Sequence, residues 1–289
     1  MVEISVIVPT YNRSRLLERC LRSLLDQSYP RELYEIIVVD DGSPDNTGAM
    51  VRENFEGKVL YLRQENGGPA KARNTGLAKA RGCICAFTDD DCVLDRNWLA
   101  CIWETFDKNS GAHCVNGDTR SMSTDPQSLS YILGRYVYLS SKSETNNIAY
   151  RRDVFDRVGG FDETIPTPAY EDVEMKRRIE KAGFCRIYDP RAIAHHPYEN
   201  EMADFKKQSR ANGIGLSYYL RRHWVMGLVM LVYEAMYAPL ILLYCFRDRH
   251  SAEYPVQYLQ AVKSLWSLNG FWVGIFKPPR RVFKEYRDK

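Results

Sequence analysis

The chain has 289 residues, 45% of them hydrophobic and 27% charged, which suits an ordinary soluble protein with a large core. A net charge of +3 excludes a global electrostatic case for nucleic acid, so any basic partner surface must be local. The eight cysteines are scattered, without paired C-x-x-C motifs for zinc, and no signal peptide is evident; the thiols are read as reduced and the compartment as cytoplasmic.

In chain order, residues 4–9 (ISVIVP) form a short β-branched run, read as a buried parallel strand. Residues 13–25 follow with Leu16, Leu17, Cys20, Leu21, Leu24 and Leu25 at helical spacing, and residues 34–39 (YEIIVV) form a second strand. Strand, helix, strand within about forty residues is a βαβ unit. Ligands of open parallel sheets bind beyond the carboxyl ends of the strands. Pro9, Tyr11 and Asn12 stand at one such end and Asp40, Asp41, Gly42 and Ser43 at the next. An acid there can accept from a ribose or base, and Tyr11 offers a stacking face, although turn chemistry uses the same residue types. No G-x-G-x-x-G follows the first strand, which argues against a dinucleotide fold.

Residues 59–62 form a third strand, and Asn66, Gly67, Gly68 and Pro69 a tight loop opening a helix over 70–80. Lys71 and Arg73 lie in its first turn, where backbone N–H groups also point outward, an arrangement that suits phosphate. Strand 83–88 delivers Asp89, Asp90 and Asp91 to the same sheet edge. Three adjacent carboxylates repel one another unless a cation or solvent screens them, so the triplet is either a metal site or a solvated acidic loop. Downstream, residues 98–106 read as helix, 112–115 as strand and 121–130 as a Ser, Thr and Asp-rich loop. A helix over 172–182 and short strands over 185–188 and 192–194 complete this half.

The segments SVIVPTYNR, VVDDGS, NGGPAKARNTGLAKARG and FTDDDC, followed by NNIAYRR, GGFDE and YEDVE, resemble the family 2 inverting glycosyltransferases of the GT-A fold over about the first two hundred residues. The resemblance implies an α/β nucleotide-diphospho-sugar transferase fold with a mostly parallel central sheet flanked by helices, and a catalytic domain over 1–200 divided into a nucleotide-binding half (1–95) and an acceptor and base half (96–200). The composition of the remainder adds a C-terminal helical appendage over 201–289. Pro9, Tyr11, Arg13, Asp41, Asn66, Gly68, Lys71, Arg73 and Asp90 fall on the donor-nucleotide side. Asn147, Gly160 and Glu171 fall on the acceptor or donor-sugar side. In the family's D-x-D motif carboxylates hold a divalent ion, Mn²⁺ or Mg²⁺, which matches Asp89 and Asp91 here, with Cys92 in place of a frequent further acid; some relatives add a histidine, matched by His196. The family's E-D motif makes Asp172 the general base, since inversion needs one carboxylate opposite the leaving group. Both acids also favour a helix N-terminus without any catalysis. The implied partners are a nucleotide sugar, UDP-linked foremost, and a glycan or lipid-linked acceptor of the cell envelope.

After about residue 201 the composition changes. Residues 225–246 are long enough to span a bilayer but contain Glu234 and Pro239, so the insertion balance is close to zero. Arg221 and Arg222 precede the run and Arg247 and Arg249 follow it, against the positive-inside bias. Residues 265–276 (LWSLNGFWVGIF) are short, aromatic and followed by a basic tail over 277–289. This reads as a monotopic contact, through 221–289, with the inner face of the plasma membrane, or alternatively as a buried homodimer face. The absence of Q-x-x-R-W argues against a processive synthase. A catalytically inactive nucleotide-sugar binder and a nucleotidyltransferase of similar fold are the other readings, the latter disfavoured because Pro9 to Arg13 is not glycine-rich.

Overall fold

A computed structural model of the chain describes residues 1–134, 145–165, 169–223 and 254–276, and positions 228, 231, 232, 235 and 236. Most of the 225–246 run and the 277–289 tail lie outside the described residues. The chain divides into two compact units, one of residues 1–120, 141–162 and 172–197, the other of 121–140, 163–171 and 198–289.

The first unit is built on a sheet whose strands are β1 (Ile4–Thr10), β2 (Tyr34–Asp40), β3 (Leu60–Arg63), β4 (Ile84–Phe87), β5 (Val93–Leu94), β6 (Ala112–Ser121), β7 (Ile148–Arg151) and β8 (Cys185–His196). Their order is β3-β2-β1-β4-β7-β6-β8-β5. The pairs β1/β2, β2/β3 and β1/β4 are parallel, while β7 runs antiparallel to β4 and β6, and β5 to β8. The α/β class therefore holds, with the parallel strands gathered in the half expected to face the nucleotide. Helices α1 (Ser14–Leu25), α2 (Thr47–Phe55), α3 (Pro69–Lys79), α4 (Trp98–Lys108), α6 (Asp153–Val158) and α7 (Glu171–Lys181) flank the sheet. A short helix α5 (Leu129–Ile132) belongs to the second unit.

Strand periodicity sorts the side chains between two cores. Ile4, Val6 and Val8 of β1, with Ile36 and Val38 of β2, pack with Leu17, Leu21 and Leu24 of α1. Ile7, Ile37 and Val39 face the opposite way, onto Ala72 of α3 and Met175 and Ile179 of α7. Each of these side chains larger than alanine contributes about 1.5–3 kcal/mol when fully buried. Both faces of β1 and β2 are thus covered, which explains their uninterrupted apolar runs.

Connections leave β1 toward β2 on one side and β4 joins it on the other, so the carboxyl ends of β1 and β4 border a topological switch point. Asn12, just past β1, adopts a left-handed φ of 56° that asparagine tolerates, and its N–H donates to Ser43 Oγ at 2.9 Å. This turn throws Arg13 over the end of β4.

In the second unit, α8 (Met202–Arg222) packs along α9 (Tyr254–Phe276). The approach is close enough that a Cβ at Gly213 would sit 1.7 Å from Ser267 O, and one at Gly270 1.9 Å from Arg210 O. Leu133, Tyr198, Phe205, Leu259 and Val262 form this unit's main apolar cluster. Among the described residues no helix is long and apolar enough to cross a membrane.

Candidate active site

The sheet edge collects the acids. Past β4, Asp89, Asp90 and Asp91 form a turn closed by Cys92 N–H donating to Asp89 O at 3.2 Å. Asp90 points inward and is 4% exposed. Thr10 Oγ1 donates to its Oδ2 at 2.7 Å, and Arg13 Nη1 lies 3.2 Å from its Oδ1. Burial pushes the Asp90 carboxyl up to about 7, against the opposing pull of Arg13. Asp90 thus ties the ends of β1 and β4 together, while its neighbours face outward to other partners.

Asp91 accepts from Arg13 Nη1 at 2.8 Å through Oδ2, and its Oδ1 is 3.5 Å from His196 Nε2. The β5/β8 register explains that histidine: Val93 pairs with His195 and Leu94 with Ala194, so His196 arrives beside Cys92 and Asp91. Alternation along the strand sends His195 to the other face. Asp89 accepts from Arg73 Nη2 at 2.9 Å. Asp89, Asp91 and His196 each present a ligand atom, all within 4.8 Å of one another. Two carboxylates and an imidazole suit a divalent cation such as Mn²⁺, and suit Mg²⁺ less because it prefers oxygen alone.

Lys71 and Arg73 occupy the start of α3, which carries no acid in its first turn. Positive charge at the positive end of a helix costs stability unless an anion faces it. Arg73 is buried with its guanidinium 5.7 Å from the Phe161 ring centroid, and Asp89 supplies its counter-charge. Asp41 is also buried, and its carboxylate accepts from Gln64 Nε2 at 2.7 Å, Gly67 N–H at 2.8 Å and Gly68 N–H at 2.7 Å. Its hydrogen bonds therefore shape the Asn66 to Gly68 loop from which α3 starts. Tyr11, half-buried, and Pro9 stand at the end of β1 beside this loop's strand partners.

Asp172 is half-buried at the start of α7. Burial first, then the charges of Cys114 and Asp172, hold the Tyr150 hydroxyl well above its usual range, with Arg186 and Arg73 opposing. Asp172 and Arg73 are accordingly both in electrostatic reach of Tyr150. A clasp fixes α7 to α3. Asn74 Nδ2 donates to Phe161 O at 2.9 Å and its Oδ1 accepts from Phe161 N–H at 2.8 Å. Arg178 donates to Val158 O at 2.5 Å, Gly160 O at 2.8 Å and Glu174 at 2.8 Å. A Cβ at Gly160 would lie 2.5 Å from Asn74 Oδ1, so glycine is what lets the clasp close. Asn74 adjoins Arg73 in the ARNTG stretch, which could have drawn attention to it; Arg178 carries no signal, because its partners are mostly backbone carbonyls.

The remaining expected positions fall inside the fold. Asn147 is buried, accepting from Trp98 Nε1 at 2.8 Å and donating to Asp118 O and Ala192 O, both at 3.0 Å. Glu171 is buried at the head of α7.

The sequence profile of "Glycosyl transferase family 2" matches residues 5–162, more than half of the chain. This chain belongs to glycosyl transferase family 2. It is 28% identical over 218 residues to Glycosyltransferase AglE of Haloferax volcanii, covering 72% of this chain and 71% of that one. It is 39% identical over 102 residues to the poly(ribitol-phosphate) beta-N-acetylglucosaminyltransferase TarS of Staphylococcus aureus, covering 34% of this chain and 18% of that one. Among solved structures, the mannosyltransferase PcManGT of Pyrobaculum calidifontis, in complex with GDP-Man and Mn²⁺, aligns with a TM-score of 0.57 at 22% identity over 98% of this chain and 79% of that one. TarS residues 1–349 in complex with UDP align with a TM-score of 0.55 at 19% identity over 99% and 92%. These likenesses carry the fold, which is the GT-A arrangement of such transferases, as the sequence motifs implied. The chain is a glycosyltransferase of family 2.

Proposed function

We propose that the chain moves a sugar from a nucleoside-diphosphate donor, UDP-linked foremost, to an acceptor hydroxyl with inversion at the anomeric carbon. The observation that carries this reading is the meeting of Asp89, Asp91 and His196 with Arg13 and Arg73 at the carboxyl ends of β1 and β4. Tyr11 stacks on the base, Asn66 and Gly68 bring backbone toward the donor, and Lys71 and the N-terminus of α3 meet the diphosphate. Asp89, Asp91 and His196 would hold a divalent cation, Mn²⁺ or Mg²⁺, which would neutralise charge on the departing diphosphate without proton transfer. Asp172 accepts the acceptor hydroxyl's proton as that oxygen attacks, and the Asn74–Phe161–Arg178 clasp keeps this carboxylate at a fixed distance from the donor side.

The test is a panel of UDP, GDP, dTDP and CDP sugars, scored for thermal protection and for released nucleoside diphosphate with and without Mn²⁺. Metal-dependent release from one nucleotide class supports the reading. Protection without release under every acceptor condition would favour a catalytically inactive nucleotide-sugar binder.

The acceptor in this proposal is a glycan or lipid-linked glycan reached at an anionic membrane surface on the cytoplasmic side, through residues 221–289. Tyr258, Leu265, Trp266 and Trp272 of α9 are exposed, Trp272 to 57%. Lys206 Nζ lies 5.9 Å from the Trp266 ring centroid. Residues 201–289 carry fourteen Lys and Arg against seven Asp and Glu, a surplus of seven, although the whole chain is only +3. Aromatic and basic groups together suit a headgroup layer. The full chain is expected to co-sediment with phosphatidylglycerol vesicles and not with phosphatidylcholine vesicles. The double change Trp266→Ser and Trp272→Ser should weaken that by at least about tenfold, given the area each indole buries. Indifference to lipid charge, or a stable dimer that buries both tryptophans, would count against it.

A further inference from the structure

The three aspartates already have cationic partners. Arg73 holds Asp89 at 2.9 Å, and Arg13 holds Asp90 at 3.2 Å and Asp91 at 2.8 Å. The two guanidiniums differ in freedom. Arg73 is buried over the Phe161 ring, which fixes it. The Arg13 side chain is 51% exposed and sits between the left-handed Asn12 and the start of α1. Asp91 is the acid both would-be cations need: its Oδ2 is taken by Arg13 while its Oδ1 faces His196 at 3.5 Å. A divalent ion bound between Asp89, Asp91 and His196 with Arg13 still on Asp91 would stand next to that guanidinium at like-charge cost.

We propose that Arg13 is a resident counter-ion of Asp91 which a divalent cation displaces, and that the released guanidinium turns to the diphosphate of the donor. The proposal rests on the metal-assisted reading above. Nη1 alone reaches both acids, and a guanidinium fits phosphate as well as carboxylate, so a diphosphate can take up the hydrogen bond given up at Asp91. The Arg13 side chain is half exposed but its acids are not, Asp91 being 11% and Asp90 5% exposed, so the hold on Asp91 opens only when another cation takes its place. Two consequences follow from linkage. The cation alone binds weakly, because it must evict Arg13 with nothing to receive it. Cation and nucleotide then strengthen each other through Arg13, by the same factor in either order.

The experiment is calorimetric titration of the full chain with Mn²⁺, first alone and then in saturating UDP, for the wild type, Arg13→Gln and Arg13→Lys. Thermal unfolding in EDTA checks that each variant folds, which the exposure of Arg13 favours. Arg13→Gln should bind Mn²⁺ alone about tenfold more tightly than the wild type, within the usual range for coupled sites. The further tightening by UDP should shrink in Arg13→Gln by a similar factor. Arg13→Lys, which keeps the charge but not the planar fork, should bind Mn²⁺ alone less tightly than Arg13→Gln does. Equal or weaker Mn²⁺ binding by a folded Arg13→Gln overturns the proposal while leaving the metal site standing. Absence of Mn²⁺ binding by all three proteins, UDP present, overturns the metal site and the proposal with it.

Discussion

Asp172→Asn is expected to lower turnover by about a thousandfold, within the 10²–10⁴ that a positioned general base contributes. The change is nearly isosteric at a half-buried helix start, so α7 and its clasp through Arg178 should persist. Donor binding depends on other groups, and the UDP dissociation constant should move by less than about twofold. The split between lost turnover and kept affinity is what separates a base from a helix-capping acid, whose loss costs about 0.3–1 kcal/mol of stability and no chemistry. Single-turnover assays with the donor found in the panel measure the first quantity and calorimetry the second. Turnover within tenfold of wild type would remove Asp172 from the base role.

Asp91→Asn is expected to abolish the metal dependence of donor binding. In the wild type, Mn²⁺ should tighten UDP binding; in the variant, affinity should fall to the metal-free level, a loss of about a hundredfold or more, since removing a ligand exceeds the 10–100-fold typical of outer-shell partners. Asp91 is the acid shared by His196 and Arg13, so no other residue at the turn replaces it. Asp90 cannot stand in, because it is buried and committed to Thr10 and Arg13. Equal UDP affinity of the wild type with and without Mn²⁺ would contradict the ligand assignment.

Much of this site is legible in sequence because it is built from strand ends. β-branched runs closed by polar residues locate β1, β2 and β4, and their parallel order brings Thr10 to Arg13 beside Asp89 to Asp91. Helix α2 is not legible: its residues TGAMVRENF open with glycine near the start and follow Asp45 and Asn46, which read as turn. β5 has two residues, too few for any periodicity, yet it is the partner that carries His196 to the site. β8 reads as two strands because Asp189 and Pro190 look like a break. It runs on through them, with Asp189 accepting from Thr105 Oγ1 at 2.5 Å and from Arg191 Nη2 at 2.8 Å. The pairs Arg13 to Asp91 and Asn74 to Phe161 span 78 and 87 residues, so only the assembled sheet discloses them. Asn147 sits in a motif that the family resemblance associates with sugar, but each of its bonds given above is made to the fold itself.

In-line displacement assisted by Asp172 is tested most directly by proton NMR of the anomeric centre of the glycoside formed from the active donor and its acceptor. That centre is expected to have the configuration opposite to the donor's. A product with the donor's own configuration would contradict inversion.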